Sequence, residues 1–368
     1  MALLLLADAR PGDLPEAAPP DDVAGWLERR TAKAAARAEQ VSAPPPDPEA
    51  QRKRAEARQG RIQAGAAALD RWLSDLVTHG LASLSEDAAE ACRREAARLV
   101  DAQAPGLATR VQAVAALVEV DLDWPERVLD ALGRVALLSR AAQRLDQLDP
   151  ATADDVRDAL GWATRKDEVL ARGERQVDLW QVVAQVEEVD DDDLRQQRSW
   201  LTGAASGRQA LVLQFAFGKR PFPEPLAAGT AVPGELAFWP GAQGLRALFA
   251  ERGDPLPLPL PLPGFPTIAS ALDAVADRLA ACPWHDRFGL TLTGVVPVLG
   301  GPEGGGDSWL VDAEGGALPF AGGDPWTLLA LSGGHPLDVI GEWSGELLTP
   351  LAAVVGGAYH RLAPRSGA

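Results

Sequence analysis

Residues 175–201 read RQVDLWQVVAQVEEVDDDDLRQQRSWL, and the reading of this stretch decides the fold. Val177, Leu179, Val182, Val183, Val186 and Val189 leave the three- and four-residue spacing seen upstream and favour an extended strand. The run Asp190 to Asp193 suits the turn of a hairpin, and strand character resumes over Arg195 to Leu201 and again over Gln209 to Phe217. The change of period near Arg172 divides the chain. The expected fold class is α+β: an N-terminal all-helical region followed by a β-rich, mainly antiparallel α+β domain.

Working back from that boundary, helices are expected at Ala151 to Trp162, Trp124 to Leu148, Gly106 to Val118 and Glu86 to Ala102. Asp123 and Pro125 supply an N-cap and a first-turn proline for the second of these. A long helix is expected from Pro48 to His79, opened by Asp47-Pro48 and stopped by Gly80. Its second half is amphipathic through Ile62, Leu69, Trp72, Leu73 and Leu76. Before it lie a short helix around Val23 to Gln40, with Asp21 and Asp22 placed to cap it, and the stop Pro44-Pro45-Pro46. The domains expected are therefore 1–46, a helical segment with a Pro-rich linker; 47–172, helical; and 173–368, β-rich α+β.

Working forward, Glu235 to Trp239 reads as a strand, Gly241 to Ala250 as a helical turn or two, and Pro255 to Pro263 as a rigid extended segment. A helix at Thr267 to Ala281 precedes strands at Phe288 to Leu299, Trp309 to Ala313, Ala317 to Phe320, Thr327 to Leu331, Asp338 to Ser344 and Leu347 to Val355. Glu314-Gly315-Gly316 can supply the positive φ values of a tight hairpin, and Gly300 to Gly306 reads as a mobile loop.

The 368 residues carry a formal net charge of −17, which counts against a sequence-wide affinity for nucleic acid or anionic membrane. Cys92 and Cys282, with no CxxC pair, build neither a disulfide framework nor a cysteine zinc site, so a reducing cytoplasm is the expected home. The apolar run Ala2 to Ala7 is too short for a secretory signal, and no stretch of about twenty apolar residues suggests a membrane span.

Sharp enzyme signatures are missing: the sequence has no HExxH, no Walker loop, no GxSxG and no paired dinucleotide glycines. The glycine-rich Gly300 to Gly306 lacks the lysine and hydroxyl residue of a phosphate loop. None of the four histidines has another at metal-site spacing. Trp284-His285-Asp286 offers His285 and Asp286 as a candidate acid/base dyad, although a surface turn is the simpler reading. Arg52, Lys53, Arg54, Arg58 and Arg61 are candidate nucleic-acid contacts, yet Glu49 and Glu56 stand at helix distances that make an ion-paired solvated face. Consecutive aspartates at Asp190 to Asp193 cannot all converge on one cation. Of the eleven tryptophans, Trp72, Trp124, Trp162, Trp180 and Trp200 occupy apolar positions and are expected to pack.

Several segments together carry a family resemblance. They are Ala2-Leu-Leu-Leu-Leu-Ala7, the long helix Asp47 to Leu81, Val100-Asp-Ala-Gln-Ala-Pro-Gly-Leu-Ala108, Trp124-Pro-Glu-Arg-Val-Leu-Asp-Ala-Leu-Gly133, Arg198-Ser-Trp-Leu-Thr-Gly203 and Ser206-Gly-Arg-Gln-Ala-Leu-Val-Leu-Gln-Phe-Ala216. They resemble the bacterial SWIM-type zinc finger family proteins, in the region following the finger. That family places a CxC…CxH zinc motif before a leucine-rich helix, and residues 1–368 contain no CxC and no CxH. The resemblance thus implies zinc for a longer family member and no cofactor or metal ligand among these residues. The family's finger implies an interaction module for DNA or protein.

The resulting expectation is a non-enzymatic, cytoplasmic interaction or scaffold protein with a protein partner and no membrane association. A nucleic-acid-binding module using the basic helix, and a hydrolase using His285 and Asp286, are the alternatives.

Overall fold

The computed structural model describes residues 48–81, 84, 87–120, 123–190, 193–242, 244–300, 306–322 and 325–362. The expectations for Ala2 to Ala7, for Val23 to Gln40 and for the centre of the Gly300 to Gly306 loop fall outside these residues. Met1–Gly60 and Arg61–Ala368 are separate units. Of the first, residues 48–60 are described; they are helical and begin α1 (Pro48–His79).

From Arg61 onward α1 buries Ile62, Ala66, Leu69, Leu73 and Leu76, the amphipathic stripe expected. Gly80 ends it at φ +85°, its N–H donating to Leu76 O at 2.9 Å. Around this stripe pack α2 (Ala88–Asp101), α3 (Pro105–Val114), α4 (Trp124–Gln143) and α5 (Pro150–Ala159). Short 3₁₀ turns, Ala115–Leu117 and Leu145–Gln147, extend α3 and α4. Cys92, Leu99, Leu107, Val111, Val128, Val135, Leu138 and Val156 fill the middle. Fully burying each large aliphatic chain is worth about 1.5–3 kcal/mol.

Polar contacts fix how the helices meet. Ser139 on α4 donates to Ala66 O (3.0 Å) or to Asp70 Oδ1 (2.7 Å), and Gln143 donates to Asp70 Oδ2 at 2.8 Å, tying α4 to α1. Asp149 caps α5 by accepting from the N–H groups of Ala151 and Thr152, each at 3.1 Å, with Pro150 in the first turn. Gly106 is required by a close approach: a β-carbon there would stand 1.9 Å from Ala159 O, so the start of α3 lies directly against the end of α5.

A short helix, α6 (Lys166–Arg172), leads into the first sheet: β1 (Arg175–Val189), β2 (Leu194–Gly203), β3 (Gln209–Phe217), β4 (Thr230–Phe238), β5 (Ala247–Arg252) and β6 (Leu256–Pro257). Five of them run in the order β3-β2-β1-β4-β5, and β6 pairs with β4. The β1–β2 hairpin turns at the acidic run, where the Leu194 N–H donates to Asp190 Oδ1 at 2.8 Å and Asp193 takes φ +60°. Leu211 N–H donates to Leu245 O at 2.8 Å, so the early part of β3 meets the chain entering β5 and the sheet curls over Trp180, Leu201, Val212, Leu236 and Phe238.

The second sheet follows α7 (Ile268–Ala281) and holds β7 (Phe288–Gly300), β8 (Gly306–Val311), β9 (Ala317–Phe320), β10 (Leu337–Trp343), β11 (Leu348–Val355) and β12 (Ala358–Arg361), with α8 (Pro325–Ser332) between β9 and β10. The order is β10-β7-β8-β9-β11-β12, and β10 also pairs with β11, which closes a ring of five strands. Apart from the isolated parallel bridges Leu211–Arg246 and Phe265–Leu292, every pairing between the described strands except β9–β11 is antiparallel. Asp312 joins the β8–β9 turn to α7: its carboxylate accepts from the N–H groups of Gly316 (2.7 Å), Glu314 (3.0 Å) and Ile268 (2.7 Å), and these donors hold it below the usual carboxylate range. The α+β class, helical first and antiparallel after, is thus what the chain adopts.

The sheets pack through Val183, Ala184, Trp200, Ile340, Leu351 and Ala352. Trp200 fits because residue 289 has no side chain; a β-carbon there would lie 2.6 Å from the indole. At the same interface Glu342, 2 % exposed, accepts from Arg198 Nε at 3.2 Å and from Trp200 Nε1 at 3.1 Å. Arg198 also grips Glu188 through two 2.7 Å hydrogen bonds, and Arg287 Nε lies 3.7 Å from Glu342.

Two expected elements are corrected. Gly241 to Ala250, expected as a helical turn, instead delivers β5, because pairing of Leu248 with Ala237 and of Phe249 with Leu236 outweighs the helix propensity of its Ala, Leu and Arg residues. Thr327 to Leu331, expected as a strand, lies inside α8; an apolar run this short fits either period, and Pro325 before it with Gly333 after it (φ +60°) bounds a helix.

Candidate functional site

A cleft of about 300 Å³ opens where the helices, the first sheet and the chain leaving α7 come together. Thr109 and Arg110 of α3 and Asp155 and Asp158 of α5 form one wall, brought into register by the Gly106 contact. Trp239 and Arg246, flanking the loop before β5, form the second, and Cys282, Trp284 and His285 the third.

Each wall is fastened to the next. Asp155 Oδ2 accepts the Ala242 N–H at 2.8 Å and so fixes the β4–β5 loop against α5. Arg110 donates to Trp284 O at 2.7 Å and stands 3.5 Å from Asp286. Arg246 stacks its guanidinium 4.2 Å over the Trp239 ring and reaches Asp158 at 3.5 Å.

Burial disfavours charge here in both signs. It raises Asp155 to about 6, with Asp158, Asp154 and Asp149 adding repulsion, and it lowers Arg246 and His285 from their ordinary values. The Cys282 thiol is pushed up to about 12, first by burial and then by Asp155. Three N–H donors of the cleft residues, Trp239 Nε1, Arg246 Nε and Trp284 Nε1, are buried and meet no acceptor among the described residues. An unpaired buried donor costs about 1–3 kcal/mol.

The candidate dyad is thereby located. His285 lines the cleft; Asp286 is exposed and directs its charge toward Arg110, and the carboxylate with the strongest pull on the imidazole is that of Asp158. Asp155, Asp158, Arg110, Trp239 and Arg246 escaped sequence reasoning, since they come from segments far apart in the chain and carry no motif. Among the described residues no group of three or more His, Cys, Asp or Glu is placed to hold a metal ion.

The basic residues stay on α1. Arg52 pairs with Glu56 (3.4 Å) and Lys53 with Glu49 (2.9 Å), Arg54 is exposed, Arg58 is half-buried, and Arg61 donates to Gln103 at 3.0 Å.

A third feature is apolar. Beyond Leu211, β3 pairs only with β2 among the described residues, and its outward side chains are the half-buried Leu213, then Phe215 (45 % exposed) and Phe217 (59 %). Leu194, opposite Phe217, extends the row.

The architecture is that of a helical bundle continued into two antiparallel sheets. Within it residues 57–160 match the family profile of the SWIM-associated four-helix bundle domain, so this helical region is similar to that domain, consistent with the resemblance to SWIM-type proteins. Comparison with curated proteins and with solved structures gave no match. No helix among the described residues is long and apolar enough to cross a membrane.

Proposed function

We propose that this chain is a non-enzymatic interaction protein that binds a protein partner along the open half of β3. The observation that carries the reading is the row Leu213, Phe215 and Phe217 beside a strand edge that pairs with no other strand among the described residues, because an added strand gains main-chain hydrogen bonds while its side chains cover the exposed rings. The cleft supports the non-enzymatic part. Its thiol is held protonated at neutral pH, and its Thr109 hydroxyl donates to Pro105 O at 3.1 Å within α3, so neither is an activated nucleophile. Zinc belongs to this reading only through the SWIM relationship. The nucleic-acid alternative has less support, since Arg52 and Lys53 spend their charge on neighbouring glutamates.

The test is a photo-crosslinking residue at position 194 in the source cells, with and without Phe215→Lys and Phe217→Lys. One discrete protein adduct, lost in the folded double variant, is expected. Absence of any adduct, or an adduct indifferent to the double substitution, would overturn the proposal.

A further inference from the structure

We propose that the cleft between α3, α5 and the β4–β5 loop binds a free α-amino acid, its carboxylate taken by Arg246 and Arg110 and its ammonium by Asp158 and Asp155. This site is independent of the β3 edge. Two arginines, Arg110 and Arg246, and two carboxylates, Asp155 and Asp158, line one cavity together with Trp239 and Trp284. Arg110 stands 3.5 Å from Asp286 and Arg246 3.5 Å from Asp158, wider than the roughly 2.7–2.9 Å of a close charge-assisted hydrogen bond, so both guanidiniums and both cleft carboxylates keep capacity for a ligand.

A simple anion would meet Asp155 and Asp158 as well as the two arginines, and a simple cation would meet Arg110 and Arg246. A dipolar molecule is attracted by both sets and adds no net charge to a site where burial already penalises charge of each sign. Neutral His285 leaves the balance unchanged, while Trp239, Trp284, Leu245 and Pro240 offer surface to a side chain. The volume of about 300 Å³ lies at the lower end of small-ligand sites and fits an amino acid.

The full chain is screened against the twenty L-amino acids by thermal shift and calorimetry at pH 7.5. For the best ligand, affinity is compared with that of its deaminated and its decarboxylated counterparts. The expected result is binding of at least one amino acid, roughly 10-fold or more tighter than either counterpart. Asp158→Asn brings the amino acid down to the affinity of its deaminated counterpart, and Arg246→Met to that of the decarboxylated one, each in a variant with wild-type circular dichroism. Binding by none of the twenty, or equal binding of a counterpart lacking one charge, overturns the proposal. Should Arg246→Met not fold, Asp158→Asn and the counterpart comparison decide alone.

Discussion

Replacing Arg198 by Met tests how the two sheets are held together. The substitution keeps a long apolar stem but removes the guanidinium shared by Glu188 and Glu342. Glu188 has a side chain 53 % exposed and returns to water, so its loss is worth at most about 1 kcal/mol. Glu342 is different: at 2 % exposure it keeps only Trp200 Nε1 at 3.1 Å and the more distant Arg287 at 3.7 Å. Stranding one member of a buried pair costs about 3–5 kcal/mol, and the surviving Trp200 bond places the expected loss near the lower figure. Urea unfolding at pH 7.5, followed by tryptophan fluorescence, measures it. The partner experiment removes both charges: Arg198→Met with Glu342→Met leaves only the Trp200 N–H unpaired, about 1–3 kcal/mol, and should recover a clear part of the loss. A single variant within about 1 kcal/mol of wild type, or a double variant less stable than the single one, would refute the reasoning.

Three further outcomes are expected. Gly289→Ala sets a β-carbon 2.6 Å from the Trp200 ring and should cost about 1–3 kcal/mol in the same urea assay. Asp155, raised to about 6 in the folded protein against an ordinary 3.8, binds its proton more tightly folded than unfolded; it therefore lowers stability as pH rises from about 4 through 6, and Asp155→Asn should be more stable than wild type at pH 7.5, with the advantage fading toward pH 4 in thermal melts. Both cysteines are buried with thiols held above their ordinary value, Cys282 at about 12, so a thiol reagent at pH 8 should label neither until denaturant is added.

Legibility from sequence followed the range of the forces involved. The bounds of α1 were readable because Pro48 and Gly80 act locally, and β3 was readable from its apolar alternation. The failures at β5 and α8 occurred where local pattern was neutral: β5 exists because β4 offers it a partner, and Leu328 is buried by a core built from distant strands. The cleft shows the same limit more sharply. His285 was visible as a chemical residue beside an aspartate, but the groups around it lie as far away as Arg110, and only the fold brings them together. No periodicity in sequence announces a set of that kind.

The bundle that matches the SWIM-associated family is not finished by its own residues. Cys282 and Trp284, from beyond α7, are part of its apolar core, and Arg110 holds the Trp284 carbonyl in place. During synthesis, then, α1 to α5 emerge from the ribosome well before the residues that complete their packing. Until residue 284 is available the nascent bundle exposes an apolar gap beside α3, a long-range closure of the kind that slows folding and invites chaperone capture. A fragment ending at residue 160 would remain in that unfinished state, which makes the whole span from α1 to the second sheet the natural unit for expression.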